Sequence, residues 1–160
     1  MGELSHFDAA GASRMVDVGD KPTTRRRARA SGRLRMAAET LAMIQGRRGA
    51  KGDVLEVARL AGIMAAKRTA DLIPLCHPVA IESVAVDFTS LDDRTLAIAA
   101  TVQVEAKTGV EMEALTAVAT AALTVYDMCK SVDRGITIHD IQLEEKSGGR
   151  SGHWQRETIS

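Results

Sequence analysis

An uncharged, strongly apolar run of 13 residues, 114–126, limits what this chain can fold into. Thr108 and Glu111 precede it in the T-x-x-E spacing of a capping box, which predicts a helix from Thr108 to about Lys130. The run is shorter than the roughly 20 residues needed to cross a bilayer. Because a helix that is apolar on every side must be covered on every side, we expect part of it to pack against another subunit.

Length and composition favour one globular domain with an aliphatic core. The chain has 160 residues, of which 45% are apolar and 26% charged. One Trp, one Tyr and two Phe offer no platform for stacked bases. The 21 basic and 21 acidic residues balance, so no overall field attracts nucleic acid or membrane, and any anion site has to be local.

The N-terminal sequence and the cysteines favour a cytoplasmic protein. The first ten residues carry charges and lack the apolar stretch of a secretory signal. Cys76 and Cys129 are isolated in the sequence, which is typical of reduced thiols. His6, His139 and His153 have no partners at ligand spacing, so we expect no protein-held metal.

The pattern along the chain divides it into an arm at 1–24, one α+β domain at 25–145 and a basic, Gly/Ser-rich tail at 146–160. Arginine alternates with small or apolar residues over 25–36, which predicts a strand with one basic face. Further predictions are helices at 37–45 and 53–69, a hairpin that turns at Asp92-Asp93, and a bulged last strand at 136–144.

This order of elements is typical of a ferredoxin-like split βαβ sandwich, in which helices cover one face of an antiparallel sheet. Some proteins with this fold bind RNA through aromatic residues on their strands. Those residues are missing here, which disfavours RNA binding.

Two segments before the long helix contain candidate site residues. Lys51 stands just before the Asp53 cap, where an ammonium group beside a helix N-terminus suits an anion, although a solvated turn lysine fits as well. Pro74 and Pro78 bracket Leu75-Cys76-His77, so this loop is stiff and can present an imidazole. Alternation in an extended segment favours a packed cysteine beside a functional histidine.

The two ends of the long helix carry the remaining candidates. Asp127 and Lys130 are three residues apart, so their side chains can pair; the negative helix end and the ammonium act on this carboxylate in opposite senses, which suits acid–base catalysis. Glu111 is interpreted as a cap. Glu113 is free of that role and can face a ligand, with an exposed first-turn acid as the alternative, and the neighbouring Met112 is a core or pocket-wall residue.

Several sequence blocks together resemble the MoaC family of molybdenum cofactor biosynthesis. They are MVDV at 15–18, KGDV at 51–54, AAKRT at 65–69, LIPLCHP at 72–78, TGVEMEALT at 108–116, YDMCK at 126–130 and KSGGRSG at 146–152. Arg150 departs from the lysine more usual in the tail of this family, but it keeps the positive charge.

The resemblance implies a lyase that converts a cyclised dihydroguanosine triphosphate into cyclic pyranopterin monophosphate and releases pyrophosphate. It implies a homohexamer, a trimer of dimers, with sites at subunit interfaces and no resident cofactor, although Mg²⁺ can accompany the triphosphate. Carried over by motif, the catalytic residues are Asp127, Lys51 and Lys130. The residues expected to bind substrate are Leu75, Cys76, His77, Met112 and Glu113, with Lys67, Arg26 and Lys146 as contacts of the triphosphate.

Two alternatives use the same residues differently. In the first, the cations bind a guanine nucleotide and nothing is catalysed. In the second, Cys76 is the nucleophile of a thiol enzyme.

Overall fold

A computed structural model describes residues 5–46 and 53–157 and shows five strands and four helices within them. In chain order these are β1 (Thr24–Arg35), α1 (Ala38–Gln45), α2 (Val54–Ala66), α3 (Thr69–Leu72), β2 (Ser83–Ser90), β3 (Thr95–Ala106), α4 (Glu111–Cys129), β4 (Thr137–Ser147) and β5 (Trp154–Gln155). The strands form one sheet in the order β2-β3-β1-β4-β5, and all neighbours are antiparallel. The predicted ferredoxin-like α+β fold is confirmed.

The central strand β1 separates the two faces of the sheet. Ala28, Ala30 and Leu34 are fully buried on the helix-covered face, while the arginines that alternate with them lie on the opposite, more open face. Alternation of buried and exposed side chains is typical of a strand with one buried face, so the prediction of a strand with a basic face is confirmed.

Helix α4 lies in the middle of the molecule, between the sheet and α2. Gly32 and Gly62 permit the close approach of these layers: a Cβ at Gly32 would stand 2.7 Å from a methyl of Val118, and a Cβ at Gly62 would stand 2.9 Å from the carbonyl oxygen of Ala117. Other elements of the same chain therefore cover most of α4, whereas its apolar sequence predicts that another subunit covers part of it. Leu123, 60% exposed, is the most open apolar side chain of the helix.

The helix starts confirm one predicted cap and contradict another. Oδ1 of Asp53 accepts hydrogen bonds from the backbone N–H groups of Leu55 and Glu56, as its sequence pattern predicts. The capping box of Thr108 and Glu111 is wrong, because α4 begins at Glu111, its N-cap is Val110, and no side chain caps it.

The N-terminus of α1 is capped from a distant part of the chain. Ala37 is its N-cap and has no suitable side chain. The carboxylate of Asp133, in the turn that leads to β4, instead accepts from Ala37 N at 2.9 Å and from Thr40 Oγ1 at 3.1 Å. These hydrogen bonds, with Ala37 as the largest cause, lower the pKa of Asp133.

The last strands contain the predicted bulge and extend beyond it. The pairing of β1 with β4 shifts register twice, and Asp140 has a positive φ of 53°. Strand β4 continues to Ser147, and the chain then turns through Gly148 and Gly149, both with positive φ, before β5 pairs with Glu145 and Lys146. No helix in the described ranges is long and apolar enough to cross a membrane.

Candidate active site

A cavity of about 720 Å³ opens beside the N-terminus of α4. It brings together five of the residues expected to bind substrate: Leu75, Cys76, His77, Met112 and Glu113. Ser5, His6, Val16, Val18 and Lys21 of the N-terminal segment form another part of its wall. The loop after α3 and the start of α4, distant in sequence, therefore meet in one place.

The loop after α3 is shaped by its prolines and by one backbone hydrogen bond. Ile73 ends α3 in an extended conformation, as the following Pro74 predicts, and the backbone N–H of Cys76 donates to the Ile73 carbonyl at 3.1 Å. Cys76 and His77 both line the cavity. The alternation that separates a packed Cys76 from His77 is therefore absent, because this turn interrupts the extended segment, whereas the resemblance places both residues at the site.

Glu113 is the most buried acidic group in the cavity wall. Its side chain is 2% exposed, and Oε1 lies 3.8 Å from Sγ of Cys76. Oε2 has no hydrogen-bond partner among the described residues. Burial raises the pKa of Glu113, and burial together with the charge of Glu113 raises the pKa of Cys76 to about 11. The thiol therefore keeps its proton at neutral pH, which argues against Cys76 as a thiolate nucleophile.

A second cavity of about 520 Å³ adjoins the first. The two share five lining residues, and the second is rich in cations. Its basic residues come from the N-terminal segment, from β1, from the connection between β3 and α4, from β4 and from the turn after β4. In that order they are Lys21, Arg26, Lys107, Lys146 and Arg150. Several cations around a single space suit a polyanion such as a triphosphate.

An ion pair stands where the two cavities meet. Lys146 Nζ donates to Glu111 Oε1 at 2.9 Å, and both side chains are partly buried. Gly109 makes room for this arrangement, because a Cβ there would overlap the Glu111 carboxylate. Glu111 thus neutralises one cation of the site instead of capping α4.

Arg26 is anchored to the backbone at the edge of the second cavity. Its Nε donates to the carbonyl of Ala106 and its Nη2 to that of Lys107, each at 3.0 Å. Gly149 lies against this guanidinium, since a Cβ at Gly149 would overlap it. The predicted triphosphate contacts Arg26 and Lys146 are therefore both in the cavity wall, and Arg26 is held rigidly.

Asp127 and Lys130 lie at the opposite end of α4. Lys130 Nζ donates to Asp127 Oδ1 at 2.5 Å, and this bond and charge raise the pKa of Lys130. The side chains of Asp127 and Lys130 are 62% and 52% exposed, so one chain does not bury this pair. At 1.5 Å per residue, Glu113 and Asp127 are separated by about 21 Å along the helix.

The remaining expected contacts are not joined to the cavities. Lys67 follows α2 as its C-cap, is exposed, and lines neither cavity. Lys51 lies outside the described residues. One chain therefore assembles a binding region but leaves the expected acid–base pair on a separate surface.

Sequence reasoning missed part of both walls. His6, Lys21 and Lys107 line cavities but were not singled out. Lys107 lies just before the Thr108 block, and its Nζ donates to the carbonyl of Gly19 at 2.6 Å, which ties the N-terminal segment to the site. Within 5–46 and 53–157, no group of three or more His, Cys, Asp or Glu side chains could hold a metal ion.

Comparison with known proteins places the chain among close relatives. The model of the MoaC family matches residues 15–149. A cyclic pyranopterin monophosphate synthase of Thermomicrobium roseum is 62% identical over 158 residues, which cover 98% of this chain and 95% of the relative. Proteins of Mycobacterium bovis and Mycobacterium tuberculosis named cyclic pyranopterin monophosphate synthase 3 are each 63% identical over 155 residues, 97% of this chain and 88% of theirs.

Proposed function

Because the chain belongs to the MoaC family, we propose that it is the enzyme that forms cyclic pyranopterin monophosphate in molybdenum cofactor biosynthesis. Its substrate is a small molecule derived from a nucleotide. We further propose that this substrate is a cyclised dihydroguanosine triphosphate, that pyrophosphate is the leaving group, and that the enzyme is a lyase.

The observation that carries this proposal is the joining of two unlike cavities. The first is walled by Leu75, Met112 and other apolar groups with the buried carboxyl group of Glu113 among them, which suits a flat heterocycle with N–H donors. The second contributes the cations for a triphosphate. A nucleotide-derived triphosphate has both parts in one molecule.

Binding in this arrangement orients the α-phosphate for displacement. Arg26 and Lys146 hold the phosphate chain, and the Glu111 carboxylate leaves Lys146 as phosphate oxygens take its place. Glu113 and His77 fix the heterocycle. When a hydroxyl oxygen of the substrate attacks the α-phosphorus, the bond to the β-phosphate breaks and the cations stabilise the departing pyrophosphate.

The acid–base pair that the resemblance implies is not at this cavity in one chain. We propose that Asp127 accepts and returns protons during the ring rearrangement and ring closure, with the ammonium of Lys130 beside it. Since the pair lies about 21 Å from Glu113 along α4, a second copy brings it to the cavity. We propose a homohexamer built as a trimer of dimers, in which neighbouring chains share each site. Lys51 and Lys67 are also supplied at these interfaces.

Side-chain cations supply the charge compensation in this scheme, so we propose no resident cofactor. Any Mg²⁺ enters with the triphosphate. We expect the enzyme to stay active after dialysis against a chelator. Any Mg²⁺ that it requires should be proportional to the substrate concentration.

The substitution Asp127→Asn tests the proposal. We expect pyrophosphate release to fall by about 100-fold or more, the usual contribution of an acid–base group, while the affinity for the triphosphate stays within a factor of about two. Asp93→Asn, in the exposed β2–β3 turn, is the matched control. Unchanged turnover in Asp127→Asn would refute the role of Asp127. A wild-type chain that binds the triphosphate and never releases pyrophosphate would instead favour the nucleotide-binding module.

A further inference from the structure

Lys21 is a half-buried cation at the place where the two cavities join. It lines both the first cavity and the second. Within 5–46 and 53–157, its ammonium group has neither an ion-pair partner nor a hydrogen-bond acceptor. Because a charge that is partly withdrawn from water costs free energy unless it is paired, such an ammonium group in a cavity wall suits an anionic ligand.

The other cations of the walls are less available at this junction. Lys146 also lines both cavities, but its charge is already paired with Glu111 at 2.9 Å. Arg150 is exposed and lines only the second cavity. Lys21 is therefore the cation best placed to meet the part of a ligand that spans both spaces.

Lys21 follows a turn that local hydrogen bonds hold in place. Asp17 Oδ1 accepts from the backbone N–H of Gly19 at 2.8 Å, and the backbone N–H of Lys21 donates to the Val18 carbonyl at 3.1 Å. Val16 and Val18, just before the turn, are half-buried and line the first cavity. These contacts set the point from which the Lys21 side chain leaves the backbone.

Lys107 ties this turn to the rest of the site. Its Nζ donates to the carbonyl oxygen of Gly19 at 2.6 Å, and its own carbonyl oxygen accepts from Nη2 of Arg26 at 3.0 Å. One residue therefore connects the turn that carries Lys21 with the guanidinium at the edge of the second cavity. A hydrogen bond from a charged donor is about twice as strong as one between neutral groups, which suits a positioning role.

We propose that Lys21 binds the α-phosphate of the substrate and that Lys107 is the positioning residue that holds Lys21 there. This inference rests on the proposed function, which supplies one molecule with a heterocycle in the first cavity and a phosphate chain in the second. In such a molecule the sugar and the α-phosphate connect the two ends. They therefore lie at the junction that Lys21 lines.

This position gives Lys21 a part in the displacement at the α-phosphorus. The attacking hydroxyl oxygen bonds to the α-phosphorus, the bond from that phosphorus to the bridging oxygen breaks, and pyrophosphate leaves with the bridging oxygen. The hydroxyl proton passes to the acid–base group Asp127, so Lys21 transfers no proton. Its ammonium group stabilises the negative charge on the oxygens of the α-phosphate while the bonds change.

The binding of two nucleotide probes tests the contact without turnover. GTP carries three phosphates and GMP only the α-phosphate, and each is titrated into the full chain by calorimetry. We expect Lys21→Met to weaken both probes by about 10-fold, the value of one hydrogen bond between charged groups, and Lys21→Arg to restore most of that loss. Arg94→Met removes an exposed cation of the β2–β3 turn and is the control for net charge.

Steady-state kinetics of pyrophosphate release test both roles. In Lys21→Met we expect kcat to fall about 10- to 100-fold as KM rises, because the lost charge also stabilises the transition state. Lys107→Met should raise KM about 3- to 10-fold, and Lys107→Arg, which keeps a donor, should restore most of it. In a Lys21→Met background, Lys107→Met should add less than a factor of about two, because it acts through Lys21.

Four results would overturn the inference. They are unchanged binding of both probes in Lys21→Met, a loss of GTP affinity without a loss of GMP affinity, an unchanged kcat in Lys21→Met, and an effect of Lys107→Met that is the same with and without Lys21. The second result would place Lys21 at an outer phosphate, and the last would make Lys107 a direct phosphate contact. Probe binding remains readable if the wild-type chain releases no pyrophosphate, so the failure of the inference and that of the proposed function are distinguishable.

Discussion

Glu113 places a carboxyl group where stability alone would favour an uncharged side chain. It is almost fully buried, and one of its oxygens is unpaired among the residues described. A group whose pKa is raised by folding binds protons more readily in the folded state, so its contribution to stability is present at low pH and is lost as the pH rises through the folded pKa. At neutral pH Glu113 therefore weakens the fold, a cost common at ligand sites.

Glu113→Gln should stabilise the protein while impairing it as an enzyme. The amide cannot ionise, so we expect its melting temperature to exceed that of the wild type by an amount that grows as the pH rises from about 4.5 toward neutrality. Calorimetry at several pH values checks this, with Glu82→Gln, an exposed acid before β2, as control. A difference that does not vary with pH would show that ionisation of Glu113 is not its origin.

Among the elements, those whose signals are local could be predicted and those that depend on distant partners could not. Asp53 caps α2 within three residues, and the alternation in β1 directly reports which face is buried. The cap of α1 comes from Asp133, far along the chain, and no local pattern reveals it. For the same reason the sequence wrongly predicts that Glu111 caps α4, since only the fold shows that Glu111 pairs with Lys146.

Asp133→Ala should loosen α1 from the turn that precedes β4. Loss of a cap costs about 0.5–2 kcal/mol, and we expect the free energy of unfolding to fall by that amount. Because folding lowers the pKa of Asp133, its contribution is present above the unfolded value and disappears as the pH falls through the folded one. Denaturant titrations at neutral and acid pH check both statements. Asp93→Ala is the control, and an equal loss at both pH values would contradict the charged cap.

At the scale of the whole molecule, sequence reasoning foresees which residues meet in one cavity but not which remain outside it. Motif positions foretold that Leu75, His77, Met112 and Glu113 line one space, and the fold brings them together. The predicted helix already puts Glu113 and Asp127 at opposite ends of α4, but the motifs do not reveal that Asp127 and Lys130 stay exposed and apart from the cavities within one chain. The arm residues that complete the walls lack a pattern of their own and depend on contacts such as Lys107 to Gly19.

Complementation between variants tests whether two copies share a site. His77→Ala alters the cavity, and Asp127→Asn alters the distant pair, so each is expected to be nearly inactive alone. Coexpressed in equal amounts, they should recover about a quarter of wild-type activity if every site takes its two parts from different chains. Light scattering should show an assembly larger than the 17.1 kDa chain. No recovery, or a monomer, would contradict a shared site.

In the proposed scheme, helix α4 is a rigid spacer between the Glu113 carboxyl group, which contacts the ligand of one site, and the Asp127–Lys130 pair, which serves the site of another copy. Each added residue would lengthen it by about 1.5 Å and rotate everything beyond the insertion by about 100° around the axis. A single insertion between Glu113 and Asp127 would therefore put the two ends out of phase, even if every side chain were retained. Length variation should be tolerated in the β2–β3 turn and forbidden in this helix.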